Sequence, residues 1–346
     1  MTKDTPLSSL GFHMPAEWEP HSAVWLAWPY DRISFGSLNE PDGKPDRERL
    51  TRVESKFAEI IAELSKSEQV ELLVMENQEH SNILTNIRML PNVTIHEVDY
   101  ADVWTRDYAP SFVLDGDGKS TAVKWEYNAY SKKFPMLIKD NGVFKKLQQE
   151  LKMKMIEPGM VMEGGAIEVN GNSTLLTTEQ CLLKRNPNLS KGEIEKFFSK
   201  YLGIKKTIWL KDGIMGDHTD GHIDEVAKFI AVNKVVCAYE DNNKDENYEI
   251  LKNAYEFLKA ELLEVIKLPM PHMTYHGGER APASYVNFYI GNKVVLMPTF
   301  NDPNDAKALE IIRSQFPNRK VTGIDCSDII YGGGAMHCLT QQQPVA

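Results

Sequence analysis

Apolar residues follow two periods that alternate along the chain. Stretches with apolar residues at spacings i, i+3 and i+4 are typical of amphipathic helices, and the short runs between them are rich in β-branched and aromatic residues, as strands are. The helical spacing predicts helices over residues 47–66, 140–152, 190–202, 246–263 and 304–316. Ser190, at the start of the third range, is a residue type that caps helix N-termini. The pattern predicts an α/β fold.

Four pairs of strand-like runs are joined by turn-forming residues, which predicts four β-hairpins. The turns fall near residues 116–118, 170–171, 233 and 291–292. Each hairpin is followed by a helical stretch and then by a short β run, and the whole unit recurs about every 60 residues. Such self-similarity indicates a repeat architecture, in which one unit cannot bury its apolar face alone.

A fifth unit is completed if the two ends of the chain pair with each other. The β run at 22–29, the helix at 47–66 and the strand at 70–75 form most of a unit, and the last β run, at 336–343, would supply its missing strand. This closure would anchor both termini in one sheet. Because no Pro/Gly/Ser-rich linker interrupts the pattern, residues 1–346 are expected to form a single domain.

Reactive residue types occur at nearly the same place in several units, shortly before the hairpin turn. Asp107, Glu163 and the pair His222 and Asp224 precede the turns of three units by eight to eleven residues, and Cys338 lies in the last β run. If the units close in a ring, equivalent positions lie at one end of it. We therefore expect these side chains to converge, as catalytic residues from distant parts of a sequence usually do.

The residue types in this set indicate covalent chemistry on a cation. A cysteine attacks as the thiolate, and neighbouring carboxylates raise its pKa unless a positive charge lies among them. A planar guanidinium supplies that charge, because carboxylates can bind its N–H groups in pairs and hold its carbon near the sulfur. His222 is of the type that transfers protons near neutral pH.

Some of these residues also have a purely structural interpretation. Asp107 can form an ion pair with Arg106, and Glu163 can flank a bulge before two glycines. His337 is expected to pack or to hydrogen-bond, since strand alternation would point its side chain to the face opposite that of Cys338.

Trp104, three residues before Asp107, has a functional interpretation, because its indole can lie along the apolar part of a substrate.

A metal site is the second interpretation of one segment. His218, His222 and Asp224 have a spacing that resembles a set of metal ligands. However, the segment lacks the glutamate of an H-E-x-x-H motif and lies on the approach to a strand, which disfavours zinc.

Composition narrows the classes of function. The chain has 346 residues, of which 42% are hydrophobic and 25% charged, and its formal net charge is −10. Nucleic-acid binding requires clustered Lys and Arg and is not expected, whereas a small cation would be attracted. No apolar run approaches the roughly 20 residues that a bilayer span requires, and the first residues lack a signal-peptide pattern, so no membrane association is expected.

The cysteines indicate a reducing compartment. The four show no C-x-x-C pairing, which argues against both a disulfide framework and a cysteine zinc site and favours the cytoplasm. Three lie in apolar settings and are expected to be inert core residues: Cys181, Cys237 and Cys326.

Six blocks of the sequence together resemble the agmatine deiminases, of the guanidine-modifying superfamily. The blocks are "MPAEWEPHSAVWLAWP", "VWTRDYAPSFV", "EGGAIEVNGNSTLLTTEQCLLKRNPN", "DHTDGHIDEVAKF", "SYVNFYIGN" and "HCLTQQQP", in that order over essentially the whole chain. The resemblance implies a five-bladed α/β propeller (the pentein fold) closed by the N- and C-terminal strands. It also implies hydrolysis of agmatine to N-carbamoylputrescine and ammonia without a metal or organic cofactor, by a chain that often assembles as a homo-oligomer.

The resemblance also implies a role for each matching position. Cys338 would be the nucleophile that forms an amidino-cysteine intermediate, and His222 would be the acid/base. The guanidinium-binding acids would be Asp107, Glu163 and Asp224. The substrate pocket would be shaped by Trp104, Asp217 and Asp220.

Three alternatives to an agmatine deiminase stay open on the sequence. The first is a deiminase of another guanidine, such as arginine or peptidyl-arginine. The second is a metal-dependent hydrolase that uses His218, His222 and Asp224. The third is a guanidinium-binding module without catalytic activity, which the complete set of reactive residues disfavours.

Overall fold

The strand-like runs form five separate sheets, and helices connect the strands within them. These features come from a computed structural model, which describes residues 6–30, 35, 48–76, 81–151, 153–273 and 278–346. The right-handed α-helices are α1 (Arg49–Leu64), α2 (Asn82–Ile87), α3 (Thr105–Tyr108), α4 (Val143–Glu150), α5 (Glu179–Arg185), α6 (Lys191–Leu202), α7 (Tyr248–Ala260) and α8 (Asp305–Gln315), and Ala129–Lys132 forms one left-handed helical turn with φ values of 56 to 64°. Short 3-10 helices span Leu7–Leu10, Pro135–Gly142, Gly164–Ala166, Ile223–Glu225 and Ile329–Gly332.

The described residues include sixteen strands, which are distributed among the five sheets. They are β1 (His21–Ala27), β2 (Gln69–Val74), β3 (Val93–Glu97), β4 (Ser111–Leu114), β5 (Ser120–Val123), β6 (Met155–Ile156), β7 (Ile167–Val169), β8 (Thr174–Thr178), β9 (Lys206–Leu210), β10 (Ala227–Ala231), β11 (Lys234–Tyr239), β12 (Glu264–Pro269), β13 (Tyr289–Ile290), β14 (Val294–Thr299), β15 (Lys320–Asp325) and β16 (Gln341–Pro344). The sheet orders are β4-β5-β6, β7-β8-β9, β10-β11-β12, β13-β14-β15 and β16-β1-β2-β3.

Every sheet repeats the same internal topology. Its first two strands pair antiparallel and its third strand pairs parallel to the second. A parallel pairing requires a crossover, and helices provide it: α4, α5 with α6, α7, α8 and α1. The predicted repeat of hairpin, helix and strand is therefore present five times, and the fold is mixed α/β.

The sequence-predicted elements are confirmed with small differences at their ends. The five predicted helices correspond to α1, α4, α6, α7 and α8. Residues 47 and 152 of the predicted ranges lie outside the described residues. Ser190 caps α6 in a complete capping box with Glu193, which satisfies backbone N–H groups that a helix start leaves unpaired. Strand β3 extends the last sheet and was not predicted.

Pairing of the two chain ends is also confirmed, but the position predicted for Cys338 is wrong. Strand β16 pairs antiparallel with β1, with Trp25 opposite Gln341. Cys338 precedes this strand in a turn, in which the Leu339 N–H donates to the carbonyl of Ala335 and the Thr340 N–H to that of His337. Because residues 335–340 form the helical hydrogen bonds of this turn, strand β16 begins only at Gln341. His337 lies outside the strand, so alternation along a strand does not set the direction of its side chain.

Buried helix stripes and strands form the core between the sheets. Helix α1 illustrates the packing, because the residues at its 3.6-residue period are all fully buried: Val53, Phe57, Ile60, Ile61 and Leu64. Full burial of such a side chain contributes about 1.5–3 kcal/mol. None of the helices in the described part of the chain has the length and hydropathy that a bilayer crossing requires.

Hydrogen bonds join the five units in succession, and all of them involve the loops that precede the first strands, with Thr178 at the end of β8 as the one partner outside these loops. Each contact is a hydrogen bond between neighbouring units of the repeat. The five donor–acceptor pairs are Arg106 N to Cys338 O (3.2 Å), Gly165 N to Asp107 Oδ1 (3.1 Å), Thr178 Oγ1 to Gly221 O (2.6 Å), Ser284 Oγ to Glu225 O (2.8 Å) and His337 N to Asn287 O (3.1 Å).

Candidate active site

The predicted reactive residues lie on equivalent short turns, each just before the first strand of its sheet. Asp107 lies on α3, ahead of β4, and Glu163 immediately precedes the 3-10 helix that leads into β7. His222 and Asp224 lie at the 3-10 helix before β10, and Cys338 lies in the turn before β16. The structure brings all five side chains together.

Gly165 marks the centre of this group. A Cβ atom at Gly165 would lie 2.5 Å from Nδ1 of His222, 2.9 Å from Oδ2 of Asp224 and 3.0 Å from Oδ1 of Asp107. Real Cβ atoms do not approach neighbours this closely, so any other residue would displace these three side chains. The position requires glycine because the backbone itself forms one wall of the site.

Cys338 is 6% exposed and lies against two carboxyl groups. Its Sγ is 3.8 Å from Oδ2 of Asp224 and 3.9 Å from Oε1 of Glu225. Burial raises the pKa of this thiol well above its ordinary value, and the carboxylates of Asp224, Glu225 and Asp107 raise it further. The sulfur is therefore a thiol until a positive charge arrives.

His222 is 1% exposed and is surrounded by acids. Its Nε2 lies 3.6 Å from Glu163, and its Nδ1 lies 3.8 Å from Asp107 and 4.0 Å from Asp224. Burial alone would lower the pKa of this imidazole, but Asp107, Cys181 and Glu163 outweigh it and raise the pKa well above the ordinary value. The ring is a cation near neutral pH and can donate a proton.

Asp107 is fixed by two hydrogen bonds and has an altered acidity. Its Oδ1 accepts from the Gly165 N–H at 3.1 Å, and its Oδ2 accepts from the Tyr130 hydroxyl at 2.7 Å. Burial raises the pKa of Asp107 to about 6, with the carboxylates of Asp224 and Glu163 acting in the same direction and His222 opposing them. Tyr130 was not identified from the sequence.

Glu163 is fully buried and is held by an arginine on α5. Arg185 donates from Nε to Oε1 of Glu163 at 2.7 Å, and from a terminal nitrogen to Asp220 at 2.7 Å. Although burial opposes ionisation, His222 and Arg185 lower the pKa of Glu163. The second oxygen of Glu163 faces His222.

Asp224 forms a relay with His337 and Glu17 beneath the site. Nδ1 of His337 is 2.7 Å from Oδ2 of Asp224, and its Nε2 is 2.8 Å from Glu17. Burial opposes ionisation of Asp224, but His337 and then His222 lower its pKa. The expectation that His337 forms hydrogen bonds is confirmed, although the argument from strand alternation was wrong.

Several oxygens and nitrogens at the site are buried and have no hydrogen-bond partner among the described residues. They are Oε2 of Glu163, Nδ1 and Nε2 of His222, Oδ1 of Asp224 and Oε2 of Glu225. Buried polar atoms are rarely left unpaired, so the three carboxyl oxygens in this set indicate a site for a ligand with several N–H donors.

Trp104 lies beside the nucleophile, behind the glycines of the C-terminal segment. A Cβ atom at Gly332 would lie 2.7 Å from the Trp104 ring. A Cβ atom at Gly334 would lie 2.9 Å from the same ring and 3.0 Å from Sγ of Cys338. Both glycines are therefore required for the close approach of this segment to the indole. Trp104 therefore supports the glycine segment that precedes Cys338.

Asp217 and Asp220, the other two predicted pocket residues, already have internal partners. Asp217 accepts hydrogen bonds from the backbone N–H groups of Thr219, Gly221 and His222, so it shapes the loop that carries the histidine. Asp220 binds three cationic side chains, those of Lys133, Lys184 and Arg185. Although burial opposes it, these contacts lower the pKa of Asp220 to about 2.

The arrangement of the alternative metal ligands differs from the sequence expectation. Within the described part of the chain, His218 does not join His222 and Asp224 in any group of potential ligand atoms that lie within 4.8 Å of one another. His218 is exposed, whereas His222 and Asp224 are buried. His222 instead groups with Glu163 and Cys181. Cys181 is a fully buried core residue, as expected, but its sulfur also lies close to the site.

Arg106 binds the C-terminal segment. Among the described contacts, it does not form the ion pair with Asp107 that the sequence allowed. It donates to the carbonyl of His337 at 3.2 Å, to Gln342 at 2.7 Å and to Glu17 at 3.3 Å. Sequence reasoning missed this function, and also missed Asn287, which touches Cys338. The position of Asn287 two residues before β13, equivalent to the other site residues in the repeat, was the available signal.

Solved structures of other proteins share this mixed α/β fold, and the sequence of this chain matches the model of one protein family. The model of the Porphyromonas-type peptidyl-arginine deiminases matches residues 13–344. The chain belongs to that family.

The relatives match over nearly their whole length. A Legionella pneumophila (strain Paris) protein described as "Putative agmatine deiminase" is 36% identical over 350 residues, which cover 99% of this chain and 98% of that protein. The solved structure of the agmatine deiminase of Enterococcus faecalis has a TM-score of 0.86 and 33% identity, covering 99% of this chain and 98% of the other. A C. jejuni agmatine deiminase with a cysteine-to-serine substitution and bound substrate has a TM-score of 0.85 and 28% identity, with 96% of each chain covered.

Proposed function

We propose that this protein is an agmatine deiminase, which hydrolyses agmatine to N-carbamoylputrescine and ammonia. The observation that carries the proposal is that carboxyl oxygens of Glu163 and Asp224 lie buried around His222 without a hydrogen-bond partner among the described residues, while the other oxygen of Asp224 lies 3.8 Å from Sγ of Cys338. The N–H groups of a guanidinium lie in its plane and point outward along its edges, so it satisfies such acceptors in pairs. The names of the relatives agree with this chemistry.

The geometry supports a two-step mechanism through a covalent intermediate. Arrival of the guanidinium balances the charge of the surrounding acids and lowers the pKa of the Cys338 thiol, which loses its proton to solvent, and the resulting thiolate adds to the central guanidine carbon. His222 donates its proton to the departing nitrogen, the C–N bond breaks and ammonia leaves behind an S-amidino group. The neutral imidazole then takes a proton from water as the hydroxyl oxygen adds to that carbon. The C–S bond breaks as the proton of this hydroxyl passes to the sulfur, which releases the ureido product and regenerates the thiol.

The burial of the site supports a small, free substrate. Cys338, His222 and Asp107 are each 6% exposed or less, and Trp104 is 5% exposed. A peptide backbone attached to the guanidine would have to follow it into this interior, whereas the aminobutyl chain of agmatine is narrow and unbranched. Agmatine is therefore favoured over peptidyl-arginine, the substrate class named in the description of the family.

An ammonia-release assay that compares agmatine, free arginine and a blocked peptidyl-arginine mimic tests this substrate assignment. We expect kcat/KM for agmatine to exceed the values for arginine and for the peptidyl-arginine mimic by about a hundredfold or more. Binding of either of these would bury the carboxylate of arginine or the peptide groups of the mimic beside the acids of the site. Treatment with a chelator should leave the rate unchanged. Equal rates with peptidyl-arginine, or activity lost to the chelator and restored by zinc, would contradict the proposal.

The dependence of the thiol on a bound cation gives a second test. We expect 2-chloroacetamidine, a cation, to alkylate Cys338 at pH 7 at least about a hundredfold faster than the neutral 2-chloroacetamide, because its charge lowers the thiol pKa as it binds. The same two reagents with 2-mercaptoethanol give the intrinsic ratio for comparison. An enzyme ratio equal to that of the free thiol would show that Cys338 does not depend on a cationic ligand.

We also propose that the five sheets are the blades of a closed propeller, formed by residues 1–346 as one catalytic domain. The succession of hydrogen bonds between the turns supports this, because it passes through all five units and returns from the unit of Cys338 to that of Arg106. The common internal topology of the sheets supports it as well. A cytoplasmic location is supported by the cysteines, all four of which are free thiols.

A further inference from the structure

Asn287 links the candidate nucleophile to its surroundings through both ends of its side-chain amide. It lies in the loop before β13 and is fully buried. Its Nδ2 is 3.2 Å from Sγ of Cys338 and 2.9 Å from Oε1 of Glu225. Its Oδ1 is 3.0 Å from the backbone nitrogen of His337 and 3.4 Å from that of Cys338.

The surroundings fix which end of the amide faces the sulfur. Two backbone N–H groups point at one end, which must therefore be the oxygen, since N–H groups only donate. The carboxyl oxygen of Glu225 lies at the other end, which must therefore be the NH2 group. Its two hydrogens serve two acceptors, so one N–H is directed at Sγ of Cys338.

This donor opposes the electrostatic effect of the other groups near the sulfur. Within the described residues, the other polar side chains that contact Sγ are the carboxyls of Asp224 and Glu225, and Asp107 acts from farther away. All three disfavour a negative sulfur. Hydrogen bonds to charged groups are stronger than neutral ones, so an N–H that faces the sulfur gains strength as the thiolate forms.

We propose that Asn287 is a catalytic residue, whose side-chain N–H stabilises the Cys338 thiolate before attack and again as the C–S bond breaks. The predicted effect on turnover rests on the proposed function as an agmatine deiminase. The predicted effect on the pKa of the Cys338 thiol in the free enzyme does not. It adds a contribution from the fourth repeat unit to a site otherwise built from the other units. The same amide also holds the Cys338 turn, so the test must separate donation from anchoring.

The substitution Asn287→Asp separates the two functions. It keeps an oxygen for the two backbone N–H groups and replaces the NH2 group, with almost no change of shape. We expect the rate constant for alkylation of Cys338 by iodoacetamide between pH 7 and 9 to fall about tenfold or more, since each unit of rise in thiol pKa lowers the thiolate fraction tenfold. We expect kcat for agmatine to fall about a hundredfold, with KM changed less than about fivefold.

Alkylation is followed by mass spectrometry of the C-terminal tryptic peptide, residues 321–346, whose fragment ions separate Cys338 from Cys326. The matched control is Asn292→Asp in the same hairpin. Asn292 also bridges backbone groups through both ends of its amide, donating to His21 O and accepting from His21 N, but it does not touch the thiol. This control should keep the parent's alkylation rates and kcat.

Two outcomes would overturn the proposal. One is an Asn287→Asp enzyme that alkylates at the parent's rate at every pH. The other applies if that variant does not fold: Asn287→Ala removes the donor without adding an oxygen, and unchanged or faster alkylation would show that the amide only anchors the turn. Iodoacetamide needs no substrate recognition, so failure of the parent enzyme to act on agmatine would overturn the proposed function and leave the thiol result standing.

Discussion

Cys338→Ala is expected to lower the rate of ammonia release from agmatine by at least about 10⁴-fold, because it removes the sulfur that forms the S-amidino bond. The protein should remain folded. The thiol makes contacts with carboxyls that raise its pKa, so its removal takes away no stabilising ion pair. The measurements are a steady-state ammonia assay, circular dichroism and thermal unfolding.

The control for this substitution is Cys326→Ala. Cys326 is equally buried, but its Sγ faces the carbonyl of Ile324 and no site residue. The control loses a buried thiol and should keep kcat within about twofold, since changes in the core away from the site act on stability. An active Cys338→Ala enzyme would refute covalent catalysis. Equal loss in both variants would indicate a general effect of removing a buried thiol.

The location of Cys338 shows how far the sequence could predict this site. The pairing of the two chain ends followed from the unmatched β runs at the N- and C-termini, and β16 does pair with β1. The turn that carries Cys338 could not be read from period-two alternation, because its short helical hydrogen bonds involve residues that are equally compatible with a strand. The convergence of the site depended only on the repeat, so the error in local structure did not affect it.

The residues that orient the catalytic groups were the least predictable. Arg106 and His337 act through contacts with partners far away in the sequence, such as Glu17 at 89 and 320 residues' separation. Nothing in the residues next to them indicates those partners. By contrast, Asn287 lies in the loop before the first strand of its unit, as Asp107 and Glu163 do. It was missed because it lies only four residues before the predicted turn at 291, outside the spacing of eight to eleven residues, and because amides were not counted among the reactive types.

Buried charges below the site explain why such contacts are needed. Lys228 is completely buried, 3.0 Å from Glu17 and 3.6 Å from Glu168. Burial opposes ionisation of Glu17, but Lys228 and His337 lower its pKa well below the usual value. Breaking a buried pair leaves an uncompensated charge and costs about 3–5 kcal/mol. The network therefore stabilises one arrangement of the turns that carry Cys338 and Asp224.

His222→Gln is expected to lower kcat by about a thousandfold and to change KM less than about fivefold, because a positioned acid/base group contributes 10²–10⁴-fold to the rate. Glutamine retains an N–H near Glu163 but cannot lose and regain a proton. The raised pKa of His222 gives the sign of the pH dependence: the cation that protonates ammonia is present at neutral pH, and the parent's rate should decline as alkaline pH removes it. The measurement is the pH profile of kcat together with a stopped-flow search for an ammonia burst.

His272→Gln is the matched control. His272 also lies between two carboxylates, 3.1 Å from Glu240 and 3.9 Å from Asp302, but its side chain is half exposed and does not belong to the site of Cys338. It should keep the parent's kcat and pH profile. Because His222 acts in both halves of the reaction, its substitution should remove the rapid ammonia burst as well as slow the steady-state turnover. A stoichiometric burst of ammonia followed by slow turnover would confine His222 to hydrolysis of the intermediate, and another group would then have to protonate the leaving nitrogen.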